Sequence, residues 1–188
     1  MKKLSLDELG RISVEEYKNT SKSSIVVVLD NIRSQHNIGS IFRTADAFRI
    51  EKIYLCGITA QPPSREIQKT ALGATESVNW QYFENTLVAI KKLKEEGFLI
   101  ISIEQVSNSL SLIDFVPEKD KKYAIIFGNE VNGVQQEIID KSDNCIEIPQ
   151  FGTKHSFNVS VTAGIVIWEL FNKFKVQSLK AKEKRARL

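Results

Sequence analysis

IVVVLDNIRSQHNIGSIFRTADAF, residues 25–48, decides the fold of this 188-residue chain. Its first five residues, Ile25–Leu29, are a continuous β-branched and aliphatic run, the pattern of a strand buried on both faces. The period then changes. Ile38, Ile41, Phe42, Ala45 and Phe48 follow helical spacing and give one apolar stripe. Between the two lies a polar loop, with Asn37 placed to cap the helix and Gly39 to allow close backbone approach. A buried strand passing directly into an amphipathic helix is half of a βαβ unit.

Outward from this stretch the alternation continues. Ile53–Ile58, Phe98–Ile103, Tyr123–Phe127 and Cys145–Ile148 read as further strands. Ile67–Leu72, Thr86–Glu96, Val134–Asp140 and Ser156–Phe174 read as helices, the second closed by Gly97 and the last strand stopped by Pro149. Strands alternating with helices predict an α/β fold: a mainly parallel sheet with helices on both faces. The expected organisation is an N-terminal helical extension over 1–24, an α/β domain over 25–174 and a basic tail over 175–188.

Composition limits the function classes. The hydrophobic content of 42% and charged content of 26% are those of an ordinary globular protein. No apolar run has transmembrane length, and the N-terminus carries charges where a signal peptide needs an apolar segment. A cytoplasmic protein without membrane contact is expected. Cys56 and Cys145 stand singly in apolar surroundings and His36 and His155 are far apart, so no metal-ligand pattern is present and no metal is expected. Residues 173–188 hold seven Lys/Arg against one Glu, while the rest of the chain has an acidic excess. Such a tail suits a polyanion, or is a solvated helix end.

Parallel sheets bind ligands at the carboxyl ends of their strands, which points to the loops after Leu29, Phe127 and Ile148. In the first, the opening turn of the helix presents backbone N–H groups to an anion, and Arg43 sits at the edge of the apolar stripe, available to phosphate or carboxylate. In the second, FGNEVNGV at 127–134, Gly128 leaves room for a ligand and Glu130 follows two residues on. Val134 and Gln135 stand where a P-loop needs Lys and Ser/Thr, and no G-x-G-x-x-G follows Ile25–Leu29, which argues against a nucleotide-dependent dehydrogenase. In the third, Ser156, Asn158 and Ser160 stand at alternate positions where the last helix begins, more small polar groups than one cap uses.

Taken in order, the three loops resemble the three motifs of the SpoU-type (TrmH-like) RNA 2′-O-ribose methyltransferases of the SPOUT superfamily. The first resembles Asn-x4-Asn-x-Gly-x3-Arg, with its leading Asn best aligned as Asn31 and Arg33 two residues on. The second resembles Phe-Gly-x-Glu-x-x-Gly, and the third Ile-Pro-x-x-Gly-x3-Ser-Leu-Asn-Val-Ser. Phe157 replaces the usual Leu of the last motif and keeps its apolar character. Gln150 and Phe151 also depart from it. The resemblance covers Ile25 to Phe174.

That resemblance implies a C-terminal deep trefoil knot, a homodimer with its active site close to the interface, and S-adenosylmethionine as methyl donor. It implies Gly128, Ile148 and Phe157 as cofactor contacts. Arg43 takes the catalytic position, Asn37 fixes Arg43 or the ribose, and Glu130 positions neighbouring groups. Ser156 and Asn158 hydrogen-bond near the reacting ribose. A guanidinium holds its proton tightly, so Arg43 is expected to stabilise developing charge and clamp a phosphate rather than act as the base. Arg33 and the tail residues Lys180, Lys182, Lys184, Arg185 and Arg187 would bind the RNA backbone. Small size and charged extensions favour tRNA over ribosomal RNA. A SpoU-like protein that holds RNA without catalysis is the competing expectation, which the intact set Asn37, Arg43, Glu130, Ser156 and Asn158 disfavours.

Overall fold

The computed structural model describes residues 1–5, 7–118 and 120–186, with side chains up to residue 175, Asp7 excepted. Seven strands form one sheet: β1 Ser23–Asp30, β2 Ile50–Cys56, β3 Trp80–Phe83, β4 Phe98–Ile103, β5 Leu110–Ser111, β6 Lys122–Phe127 and β7 Asn144–Glu147. Their order is β3-β2-β1-β6-β4-β7-β5, and every paired neighbour is parallel. The helices are α1 Val14–Asn19, α2 Gln35–Ala47, α3 Arg65–Ala71, α4 Ala74–Ser77, α5 Thr86–Glu95, α6 Gln136–Ile139 and α7 Val159–Ala186.

β1 runs through the middle of the sheet and is buried from Ile25 to Asp30. Its side chains divide by the two-residue period of a strand. Ile25, Val27 and Leu29 join a core with α1, α2, α3, α4 and α7, whereas Val26 and Val28 join a second core with α5 and α6. Helices therefore cover both faces, as the alternation predicts. The apolar stripe of α2 is buried as read: Ile38, Ile41, Phe42 and Ala45 are inaccessible to solvent. Gly97 closes α5 with a positive φ of 82°, as a C-cap glycine does.

Several boundaries differ from the sequence reading. β3 and β5 are additions to it: β3 is only partly buried and lacks a continuous apolar run, and β5 is two residues long. The helix read over Val134–Asp140 shrinks to Gln136–Ile139, because Gln135 is its N-cap with an extended ψ of 144° and Asp140 its C-cap. α7 begins at Val159, and its backbone runs on without a break at residue 174 as far as Ala186.

The close approach expected at Gly39 is made by a helix. A Cβ there would lie 2.2 Å from the Ile67 carbonyl oxygen and 2.2 Å from Thr70 Oγ1, so α3 sits directly on α2. Gly39→Ala forces backbone apart, not a flexible side chain. It is expected to cost about 1–3 kcal/mol of stability, read as a shift in the urea midpoint.

Candidate functional site

The carboxyl ends of β4, β6 and β7 and the start of α7 line a cavity of about 570 Å³. Gly128, Glu130, Ile148, Ser156, Phe157 and Asn158, all singled out in the sequence, line it. The side chains of Arg43 and Asn37 are not part of its lining.

Three polar side chains from the three loops are hydrogen-bonded in series. Asn37 Nδ2 donates to Glu130 Oε1 at 3.0 Å, and Asn158 Nδ2 donates to Asn37 Oδ1 at 3.1 Å. Asn158 Oδ1 in turn accepts from the Ser160 N–H at 2.9 Å and the Ser160 hydroxyl at 2.6 Å. Both ends fix the direction. An ionised carboxylate only accepts, so Asn37 must offer its amide nitrogen to Glu130; the helix N–H only donates, so Asn158 must offer its oxygen to Ser160. The two amides between them then have one arrangement, and it is the observed one.

The anion expected at the start of α2 is supplied by the protein itself. Glu130 accepts from the Arg33 N–H on Oε2 and from the Ser34 N–H on Oε1, both at 2.9 Å. The assignment of Asn37 as the cap is corrected. Ser34 is the N-cap, its hydroxyl accepting the Asn37 N–H at 3.3 Å, so Asn37 lies within the first turn and its side chain is free to face Glu130 and Asn158. Asn158 is both a helix cap and a site residue, since one carboxamide has two ends.

Glu130 is held as an anion. Partial burial opposes its ionisation, but the N–H groups of Arg33 and Ser34, the Asn37 amide and its own N–H outweigh burial and lower its pKa from the ordinary 4.5. The sign follows from linkage: a lowered folded-state pKa gives stabilisation fully present above pH 4.5 and lost as pH falls through that lowered pKa. The backbone amide signals of Arg33 and Ser34 are expected to titrate together in NMR spectra, with one midpoint below 4.5.

Gly128 also has a role different from the one read. A Cβ there would meet the Gly133 carbonyl carbon at 2.2 Å and the Val134 nitrogen at 2.3 Å. The space is filled by the returning turn, not by a ligand. Asn31, at a left-handed φ of 56°, ties the first loop to its neighbours. Its side chain bonds Asp30 and the Ile58 N–H, and its carbonyl accepts from Asn129 Nδ2 at 2.7 Å.

Arg43 is exposed on α2, and its guanidinium has no partner among the described residues. The Arg33 side chain is likewise exposed and unpaired there, while its backbone holds Glu130. Ser156 is exposed on the cavity wall. Lys180, Lys182, Lys184 and Arg185 lie outside the described side chains, and Arg187 outside the described residues. Cys56 is buried, and that burial pushes its thiol to about 12, which fits a packing role. Among the described residues no cluster could hold a metal and no helix is long and apolar enough to cross a membrane.

Three lining residues escaped the sequence reading: Ile103, Glu104 and Gln105, at the carboxyl end of β4. No motif marks them. Only the rule that ligands gather at strand ends, applied to every strand, would have drawn attention there.

A parallel sheet with a cavity at its strand ends, walled by the second and third motif loops and tied to the first through Glu130, Asn37 and Asn158, defines an α/β protein of the SpoU type. The model of the SpoU rRNA Methylase family matches residues 24–168, and the chain belongs to that family. It is 31% identical over 160 residues to a protein of Staphylococcus aureus (strain MSSA476) described as a TrmH family tRNA/rRNA methyltransferase, covering 85% of this chain and 63% of the relative. The chain thus spans less than two thirds of the curated relatives it matches. Among solved structures, the A. aeolicus TrmH/SpoU tRNA modifying enzyme superposes with a TM-score of 0.77 at 24% identity, over 89% of this chain and 84% of that one. An AdoMet-bound rRNA methyltransferase from Sinorhizobium meliloti gives 0.73 at 28%, over 79% and 56%.

Proposed function

We propose that this chain transfers a methyl group from S-adenosylmethionine to a ribose 2′-hydroxyl of RNA, with tRNA favoured over ribosomal RNA, as a cytoplasmic homodimer. The observation that carries the reading is that the second and third motif loops line one cavity and the first is tied to both of them through Glu130, Asn37 and Asn158.

The character of the cavity supports the cofactor. Ile103, Phe127, Ile148, Phe157 and Val159 give it apolar surface, and its charged side chains are Glu104, Glu130 and Glu147. None of its lining residues is a Lys, Arg or His. An acidic lining suits a ligand bearing sulfonium and ammonium groups and repels the pyrophosphate of a dinucleotide. The S. meliloti relative, crystallised with AdoMet, supports the same choice. When bound, S-adenosylmethionine supplies an electrophilic methyl group. Gly128, Ile148 and Phe157 are the residues proposed to hold it.

The remaining residues serve the RNA. Ser156, exposed on the wall, is proposed to hydrogen-bond the target ribose, and Asn158, its other end spent on α7, to align the nucleotide with the help of Asn37. The ribose oxygen would gain the methyl as the methyl–sulfur bond breaks and S-adenosylhomocysteine leaves, its proton passing to water, while Arg43 stabilises the negative charge that develops on that oxygen. Arg33 and the tail lysines and arginines hold the backbone.

Because Arg43 lies outside the cavity of its own chain, the homodimer is part of the mechanism. Val161, Ile165 and Trp168 follow each other at i, i+4 and i+7 on α7, and Trp168 remains 54% exposed. α7 packs on α2, the helix that carries Arg43. A second copy covering this stripe would bring the active sites to the interface. The knotted threading of the C-terminal part belongs to the same proposal.

Two measurements test it. Isothermal titration is expected to show binding of S-adenosylmethionine and of S-adenosylhomocysteine and none of NAD; binding of NAD alone overturns the reading. Mapping of 2′-O-methyl marks in cells with and without the gene is expected to show one lost tRNA position. A lost ribosomal position redirects the substrate, and no lost mark in any RNA refutes catalysis.

A further inference from the structure

The two walls of the cavity come from separate loops, 128–134 after β6 and 148–158 after β7. Something must set the distance between them. The dipeptide after β4 touches both. Glu104 anchors itself first: its N–H donates to the Ile146 carbonyl at 3.1 Å, and its Oε1 accepts the Gln105 N–H at 2.9 Å. Its Oε2 accepts the Val134 N–H at 2.9 Å. Gln105 Nε2 donates to the His155 carbonyl at 2.9 Å.

The Glu104 contact reaches the centre of the site. Val134 ends a tight turn closed by the Asn129 N–H to Gly133 O bond at 3.0 Å and the Gly133 N–H to Asn129 O bond at 2.9 Å. Gly133 has a positive φ of 66°, and a Cβ on it would lie 2.1 Å from Glu104 Oε2. The carboxylate therefore occupies the place a side chain would take. Glu130 sits within this turn and holds the first loop through Arg33, Ser34 and Asn37. A displacement at Val134 is thereby passed to Glu130 and on to Asn158.

We propose that Glu104 and Gln105 are positioning residues that clamp the two cofactor-holding loops at a fixed separation: Glu104 fixes the 129–134 turn, and with it Glu130, while Gln105 fixes the 148–158 loop at His155. What Glu104 contributes at Val134 is a hydrogen-bond acceptor. The inference rests on the proposed cofactor for the identity of the ligand, but the clamp itself is a property of the free protein.

The test uses the full chain and two readouts, the dissociation constant for S-adenosylmethionine by titration calorimetry and amide hydrogen exchange without ligand. Glu104→Ala is expected to weaken binding about tenfold and Gln105→Ala about threefold, the usual worth of a charge-assisted and a neutral hydrogen bond. Glu104→Gln keeps an oxygen for Val134 and gives up only the acceptor of the exposed Gln105 N–H, so it is expected to stay within about threefold of the parent, a rescue that a requirement for charge would not give. In the ligand-free protein, Glu104→Ala is expected to speed exchange at Val134 and also at Arg33 and Ser34, which it does not touch.

Unchanged affinity and unchanged exchange in Glu104→Ala overturn the proposal. So does a Glu104→Gln variant as weak as Glu104→Ala. Should Glu104→Ala not fold, Glu104→Gln together with Gln105→Ala, whose side chain is exposed, still decides through exchange at Val134 and affinity. Should the parent itself bind no S-adenosylmethionine, the proposed function fails, and the exchange comparison alone then upholds or refutes the clamp.

Discussion

Arg43→Ala is expected to lower methyl transfer by about 10²–10³, the scale on which enzymes lose rate when a single charge-stabilising donor is removed. Its affinity for S-adenosylmethionine should stay within about twofold of the parent, since a lost contact worth less than half a kcal/mol is all that this allows. Both expectations come from placement. Arg43 is exposed and unpaired among the described residues, so its loss leaves no buried group without a partner. It does not line the cavity, so the cofactor loses no contact. Its backbone is nevertheless rigid, because α2 is capped by Ser34 and pressed against α3 at Gly39. An unpaired guanidinium on a fixed helix is ready to meet a charge that only the reaction creates. Arg43→Lys separates stabiliser from base. A stabiliser keeps part of its effect as a lysine, which retains the charge and loses the planar fork. A required base would gain from the amine, which gives up its proton more readily than a guanidinium. Full activity in Arg43→Ala, measured with tritiated donor and substrate RNA, removes Arg43 from the mechanism.

How much of this was legible beforehand can be read from individual residues. The strand and helix of residues 25–48 were, because burial on two faces and burial on one stripe leave different periods in the sequence. Their partners across the sheet were not. Glu130 fills the anion site at α2 from 96 and 97 residues away, and local spacing carries no trace of so distant a contact. The sequence therefore showed an N-terminus suited to an anion and a carboxylate in another loop, with nothing to join them. The cap at Asn37 fails for a related reason: Ser34 and Asn37 are both good capping residues, and the choice between them depends on where the chain leaves β1. Gly128 and Gly39 read as places of close approach, and they are, but to protein backbone. Glycine signals that space is needed and does not name what fills it. Glu104 and Gln105 left no signal at all, since a Glu-Gln pair after a strand is ordinary until two loops fold onto it.

The series Glu130–Asn37–Asn158 yields the second large effect. Asn37→Asp changes one amide nitrogen to oxygen and is expected to reduce activity by at least about tenfold, because it replaces the hydrogen bond that ties the first loop to Glu130 with two like charges in contact. The nitrogen replaced is the one that donates to Glu130 Oε1 at 3.0 Å. Two carboxylates then face each other at hydrogen-bonding distance, and one must hold a proton or both must separate. Either response pulls on the Arg33 and Ser34 N–H groups that Glu130 holds. Asn158 Nδ2 can still donate to the new carboxylate, so α7 stays capped and the fold survives. The pH dependence marks the mechanism. In the variant the joint titration of the Arg33 and Ser34 amides should move to higher pH, since a like charge now disfavours ionisation where the amide had favoured it. The double variant Asn37→Asp with Glu130→Gln keeps a donor between the two positions and moves it to the other side. The introduced glutamine gives its Nε2 to the introduced aspartate, which still accepts from Asn158. The glutamine's remaining oxygen serves only one of the two backbone N–H groups well, so recovery should be partial. A double variant more active than Asn37→Asp alone would show that the alternation of donors and acceptors through the three loops matters, and not the identity of Asn37. If the double variant is worse than both single changes, the series is not the element that joins the site.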